Sequence, residues 1–149
     1  MRSSTAAKLL SWLMILVGGM AMLAVVAVIM PTAWMEAAND SIGLGPFHSS
    51  PLMEYLTRSL SLLYALFGIL TVYLGLNVRR YPSLIRLVGW LTIVLGVGLT
   101  GIDFAAGMPA SWSWSEGPPT IAIGLAILWL VRRAGAPAGT RGSSAALRM

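Results

Sequence analysis

A chain of 149 residues is long enough for one domain-sized unit and too short for two ordinary globular domains. Apolar residues make up 57% of the chain and charged residues only 10%, against roughly 25% charged residues in a soluble domain, so lipid is its natural solvent. The net charge of +5 does not indicate nucleic acid, because the basic residues lie singly or in pairs just outside apolar runs and form no stripe.

The residue types that support most metal and redox chemistry are scarce. The chain has no cysteine, which removes disulfides, thiolate catalysis and iron–sulfur clusters. Its one histidine, His48, cannot supply the pair of ligands that a bis-histidine haem needs. The sequence therefore predicts neither a cofactor nor a metal, and assigns no catalytic residue.

The first apolar run covers residues 9–30 and contains no charge. It is long enough to cross a membrane as a helix. Arg2 and Lys8 precede it, as in a signal peptide, but the apolar region of a signal peptide has only about 7–15 residues. An uncleaved signal anchor is the leading interpretation, and a cleavable signal is the alternative.

Three further spans are predicted at about 56–77, 84–106 and 117–131. Tyr81-Pro82 forms a tight connection between the second and the third, since proline restricts the residue before it. The apolar part of the fourth span is about 20 Å long, short of the roughly 30 Å hydrocarbon core. We expect this span to be tilted or locally thinned, in a four-helix domain over residues 1–133 with a disordered tail over 134–149.

The charges predict the orientation of an all-α, integral membrane four-helix bundle. With the N-terminus in the cytoplasm, nine of the ten basic residues lie on the cytoplasmic side and only Arg58 lies near the other face. The positive-inside rule therefore places both termini in the cytoplasm. The same map places all five acids at the outer face: Glu36, Asp40, Glu54, Asp103 and Glu116.

Small residues recur along one face of the second and third spans, at a step of about 3.5 residues. Such residues let membrane helices approach closely. Opposed positions in the hairpin have a nearly constant sum of residue numbers, so we expect these two spans to pack on each other. The predicted helix-packing seam consists of Ala65, Gly68, Gly75, Gly89, Gly96 and Thr100.

At the outer end of that seam the same register brings Arg58 opposite Asp103. A charge within a bilayer is normally paired, and arginine can bind a carboxylate through two hydrogen bonds. The pair is interpreted first as fixing the helix register, second as contacting a ligand or ion, and third as two side chains that reach the interface separately. The candidate outer-face charge cluster consists of Glu54, Arg58, Asp103 and Glu116.

Several short motifs lie in and between the last three spans: the stretch 58–64, Ile102-Asp103, Gly107-Met108-Pro109 and Glu116-Gly117-Pro118. They resemble those of small bacterial four-helix membrane proteins of unknown function, which are similar to the broad DoxX-like group. The resemblance implies a four-helix bundle in a bacterial inner membrane, with no established reaction. The cysteines of thiol-linked members of that group are missing here.

Two functional hypotheses follow. The leading one is a non-enzymatic multi-pass membrane protein that binds a lipid or another apolar molecule, or that serves as an accessory subunit of a membrane-protein complex or homo-oligomer. The alternative is a small membrane enzyme or transporter that uses Glu54, Arg58, Asp103 and Glu116 around an outward-facing pocket. Membrane lipids are the expected partners, and nucleic acid is not.

Overall fold

The protein is described by a computed structural model over residues 3–41 and 50–135. Six helices account for nearly all of this part of the chain, and it contains no strand. The helices are α1 (Ser3–Met22), α2 (Val25–Ile29), α3 (Thr32–Ser41), α4 (Pro51–Leu76), α5 (Pro82–Ala106) and α6 (Ala110–Ala134).

Four segments of the described residues are long and apolar enough to cross a membrane: Thr5–Ile29, which joins α1 and α2, and the helices α4, α5 and α6. Large apolar side chains cover their outer surfaces, with Trp12 71% exposed and Ile29 81% exposed. A soluble protein does not expose apolar surface on this scale. The predicted all-helical class with four apolar spans is confirmed.

Local sequence signals explain where the long helices begin and end. The Ser50 side chain accepts a hydrogen bond from the Met53 amide (3.2 Å) and caps the start of α4. Pro82 occupies the first turn of α5, where a missing N–H does no harm. Gly107 ends α5 in the left-handed conformation (φ 68°), and the Met108 amide donates back to the Asp103 carbonyl (3.0 Å).

The fourth span begins earlier than the sequence suggested. Helix α6 has 25 residues and starts at Ala110, so Pro118 and Pro119 lie inside it. Its length is about 37 Å, enough for the whole hydrocarbon core once the helical residues before Gly117 are included. Serine and tryptophan at positions 111–115 lower the hydropathy of this segment without interrupting the helix.

The connection between the first and second spans contains a helix that the sequence did not predict. Helix α3 follows the extended residue Met30 (ψ 133°), which Pro31 forces out of the helical conformation. Phe47, His48 and residues 136–149 of the predicted tail lie outside the described residues, whereas Ala134, the first residue of that tail, belongs to α6.

Two closely packed helix pairs build the bundle. Helix α5 packs most extensively on α6, α1 packs on α4, and α1 also contacts α6, whereas α4 and α5 hardly touch. The predicted packing of the second span on the third, α4 on α5, is therefore wrong. Small residues recur every seven positions on all four spans. Opposed small residues whose numbers have a constant sum can therefore be found for other pairs of spans equally well.

The first pair approaches at Gly18 of α1 and Gly68 of α4. A Cβ atom on Gly68 would lie only 2.6 Å from the Gly18 carbonyl oxygen. Seven residues before Gly18 on α1 and seven after Gly68 on α4, the Ser11 hydroxyl donates a hydrogen bond to the Gly75 carbonyl (2.6 Å). Two of the predicted seam glycines thus face α1, and Ala65 of α4 is also buried.

The second pair approaches at two glycine positions on each helix. A Cβ atom on Gly96 would lie 2.9 Å from the Gly117 carbonyl, and one on Gly124 would lie 2.8 Å from the Gly89 carbonyl. Thr100, one turn beyond Gly96, contacts Gly117. The other predicted seam residues, on α5, therefore face α6.

The apolar core lies at the end of the bundle that holds the N-terminus of α1. All four spans contribute to it, and the α4–α5 connection adds Val78. Towards the opposite end, the described residues form no such core between α4 and α5. The core residues are Leu10, Met14, Leu74, Val78, Ile85, Val88, Ile127, Leu130 and Val131.

Candidate functional site

Arg58 binds the end of the first span. One guanidinium nitrogen donates to the Val28 carbonyl (2.6 Å) and the other to the Met30 carbonyl (3.2 Å). Carbonyls at the end of a helix lack a partner within that helix, and a basic side chain can satisfy them. Arg58 therefore joins α4 to α2, and its predicted pairing with Asp103 is wrong.

Glu54, one turn before Arg58 on α4, also contacts the chain that follows the first span. The Thr32 hydroxyl donates to its carboxylate at 3.4 Å, a long hydrogen bond. Glu54 lies in the first turn of α4, where a negative charge is favoured by the helix dipole. Together, Glu54 and Arg58 hold the junction between α2 and α3 against the N-terminal end of α4.

Asp103 is buried, with only 5% of its surface exposed. Its Oδ2 atom has no hydrogen-bond partner among the described residues. The heptad position of Asp103, one repeat beyond Gly96, places it on the face of α5 that packs on α6. An unpaired polar atom in such a place is destabilising.

Glu116 is held by its own helix. The Trp112 indole nitrogen donates to its carboxylate at 2.7 Å, between two residues that are one turn apart on α6. The side chain is half-buried, so this hydrogen bond satisfies part of a carboxylate that is partly removed from water.

The four members of the charge cluster thus bind separately. Within residues 3–41 and 50–135, no hydrogen bond or ion pair joins any two of them. The same part of the chain holds no group of three His, Cys, Asp or Glu side chains that could bind a metal ion. The enzyme or transporter hypothesis, which needs these four side chains around one pocket, gains no support from their hydrogen bonds.

An apolar cavity of about 380 Å³ lies between α4 and α5, and we call it the α4–α5 groove. It follows from the packing, because the two helices are joined by a short connection but pack on different partners. Its residues lie near the middle of both spans, and Tyr64 contributes the one hydroxyl. The lining consists of Leu60, Leu63, Tyr64, Phe67 and Leu95.

Sequence reasoning missed this groove. A leucine that lines a groove and a leucine that faces lipid look alike in an apolar run, and the prediction placed α5 over the α4 face. One signal was present: Tyr64 lies near the centre of α4, whereas tyrosines of membrane helices concentrate at the two interfaces.

Comparison with known proteins assigns neither a family nor a function to this chain. Comparison with protein-family models, curated proteins and solved structures finds no match for this chain.

Proposed function

We propose that this chain is a non-enzymatic multi-pass membrane protein that holds the acyl chain of a membrane lipid in the α4–α5 groove. The observation that carries the proposal is the separation of α4 and α5, which leaves an apolar cavity at mid-span depth. At that depth a bilayer contains almost only acyl chains. The cavity volume is near the lower end of small-molecule sites, which suits a slender ligand.

We also propose that the protein lies in a bacterial inner membrane with both termini cytoplasmic. Support comes from the charges of the described residues: basic side chains collect where α1 begins and α6 ends, and acidic ones at the opposite end. Membership of the DoxX-like group belongs to the same proposal and is supported by the short motifs named above.

A photoactivatable phospholipid tests the function. Full-length protein is reconstituted with phosphatidylcholine that carries a diazirine in the middle of one acyl chain, irradiated and digested. We expect the label to concentrate on peptides that contain residues 60–67 and 95. Labelling spread evenly over the exposed faces of α1, α5 and α6 would refute a specific acyl-chain site.

A matched pair of variants sharpens the test. Leu95→Trp places a larger side chain in the groove, whereas Val94→Trp makes a similar enlargement at an exposed position on the same helix that does not line it. Labelling of residues 60–67 should fall in the first variant and persist in the second. A protein partner that co-purifies with wild type and with Val94→Trp, but not with Leu95→Trp, would instead identify the groove as the docking site of an accessory subunit.

A further inference from the structure

A second cavity, at the end of the bundle opposite the acids, is lined by basic side chains. Its volume is about 350 Å³, and it lies between α1 and the connection that joins α4 to α5. Lys8 lines it from α1, and Arg79 and Arg80 line it from the connection. We call this cavity the basic groove.

The basic groove continues towards the end of α6. An adjoining cavity of about 410 Å³ shares Ala7, Val78 and Arg79 with it and extends to Val131 and Gly135. Arg79 therefore lies between two connected spaces. Their linings also include apolar side chains at the ends of the spans, so charged and apolar groups line the same spaces.

The cations around this end lack carboxylate partners. No ion pair is present within residues 3–41 and 50–135, and every acid in that part of the chain lies in the outer half of the molecule. Arg80 lies over the ring of Tyr81 (5.3 Å to the centroid). Uncompensated like charges raise the local potential and favour an anion.

A neighbouring tyrosine pair does not reduce this positive potential. The Tyr81 and Tyr73 hydroxyls are 3.4 Å apart. Hydrogen bonding to Tyr73 raises the pKa of Tyr81, which therefore stays neutral at physiological pH.

We propose that the basic groove binds the phosphate of an anionic phospholipid, with Lys8, Arg79 and Arg80 around the phosphate. The groove lies just beyond the end of α4 at Leu76 and the start of α5 at Pro82, which is the depth of lipid headgroups. Basic pockets between membrane helices are suited to such headgroups. The site is separate from the α4–α5 groove and does not depend on the function proposed for it.

Native mass spectrometry of the full chain in detergent tests the site, with phosphatidylglycerol, phosphatidylcholine and inorganic phosphate as probes. The test variant is Lys8→Gln/Arg79→Gln. The control is Arg132→Gln/Arg133→Gln, which removes the same charge from the same end without touching the lining. Two basic groups near an anionic lipid account for roughly thirtyfold in affinity, so phosphatidylglycerol binding should fall by about that factor in the test variant and by less than about threefold in the control.

Three results would overturn the proposal: equal losses in both variants, equal binding of phosphatidylcholine and phosphatidylglycerol by wild type, or displacement of phosphatidylglycerol by millimolar inorganic phosphate. The last result would identify a free-anion site.

A second measurement tests the site if the Lys8→Gln/Arg79→Gln variant does not fold. The chain has no cysteine, so Ala7→Cys supplies a single thiol in the groove. Phosphatidylglycerol should slow its reaction with maleimide several-fold relative to phosphatidylcholine. Equal reaction rates in the two lipids would count against the site.

Discussion

At the level of single residues, Arg58 and Asp103 differ in how well their charges are satisfied. Arg58 donates to two carbonyls at the end of the first span, whereas Asp103 is buried with Oδ2 unpaired. One side chain therefore stabilises the bundle and the other destabilises it, although the sequence presents them as a pair of opposite charges.

Replacing Arg58 with alanine should lower the stability of the protein in detergent. The change leaves the Val28 and Met30 carbonyls without this donor, and hydrogen bonds to charged groups contribute about 1.5–3 kcal/mol. Thermal unfolding followed by circular dichroism measures the loss. Arg86→Ala, at an exposed position near the other end, is the control and should stay within about 0.5 kcal/mol of wild type.

A charge exchange between Arg58 and Asp103 should not restore stability. Their side chains share no hydrogen bond or ion pair, so the coupling energy of a double-mutant cycle should be within about 0.5 kcal/mol of zero. A restored melting temperature in the Arg58→Asp/Asp103→Arg protein would show that the two charges meet after all.

Asp103→Asn should raise the melting temperature. The amide has the shape of the carboxylate but no charge, so it reduces the cost of burying an unsatisfied group, which is about 1–3 kcal/mol. Asp40→Asn, at an exposed position on α3, controls for the change in net charge and should have little effect. A fall in melting temperature for Asp103→Asn alone would mean that the carboxylate binds a proton, a cation or a water that stabilises the fold.

At the level of helices, the glycines fall into two classes. Gly96 lies where α5 meets the backbone of α6, whereas a Cβ atom on Gly98 of the same helix would have no neighbouring atom within 4 Å. Sequence alone does not separate these classes, because both glycines interrupt similar runs of leucine and valine. Only the choice of partner helix does so.

Gly96→Ala and Gly98→Ala should therefore shift stability in opposite directions. A Cβ on Gly96 would lie 2.7 Å from an Ile121 side-chain carbon and 2.8 Å from the Ile121 amide nitrogen, so α5 and α6 must separate and the protein should lose about 1–3 kcal/mol. At Gly98 alanine meets no neighbour and should gain up to about 1 kcal/mol from its higher helix propensity. Equal effects, measured by thermal unfolding, would show that α5 and α6 do not meet at Gly96.

The same contrast explains what the sequence could predict. Span number and helical class follow from the lengths of apolar runs, which depend on the chain alone. The pairing of spans depends on which two small-residue helix faces pack on each other. The seven-residue spacing that aligned Gly75 with Gly89 aligns Gly75 with Ser11 equally well. That pairing also determines the separate partners of Glu54, Arg58 and Glu116 and the groove beside Tyr64. For the same reason, none of these features could be predicted from the sequence.

At the level of the whole molecule, the order of the helices decides whether the α4–α5 groove exists. Were α4 and α5 packed on each other, their leucines would fill the space between them. The structure instead places Gly75 against Met14 of α1, with a Cβ on Gly75 3.0 Å from the Met14 Cβ, and Gly89 against Leu128 of α6. The absence of native cysteines makes this order testable by disulfide formation.

The Met14→Cys/Gly75→Cys protein should form an intramolecular disulfide in membranes on mild oxidation, because a small outward shift brings the two Cβ atoms into the range of about 3.5–4.5 Å that a disulfide requires. Gly75→Cys/Gly89→Cys, the pair expected from a packed second and third span, should remain reduced. Mobility on a non-reducing gel after protease cleavage between the spans distinguishes the two. Cross-linking of the second pair and not the first would place α5 over α4, close the groove and remove the proposed acyl-chain site.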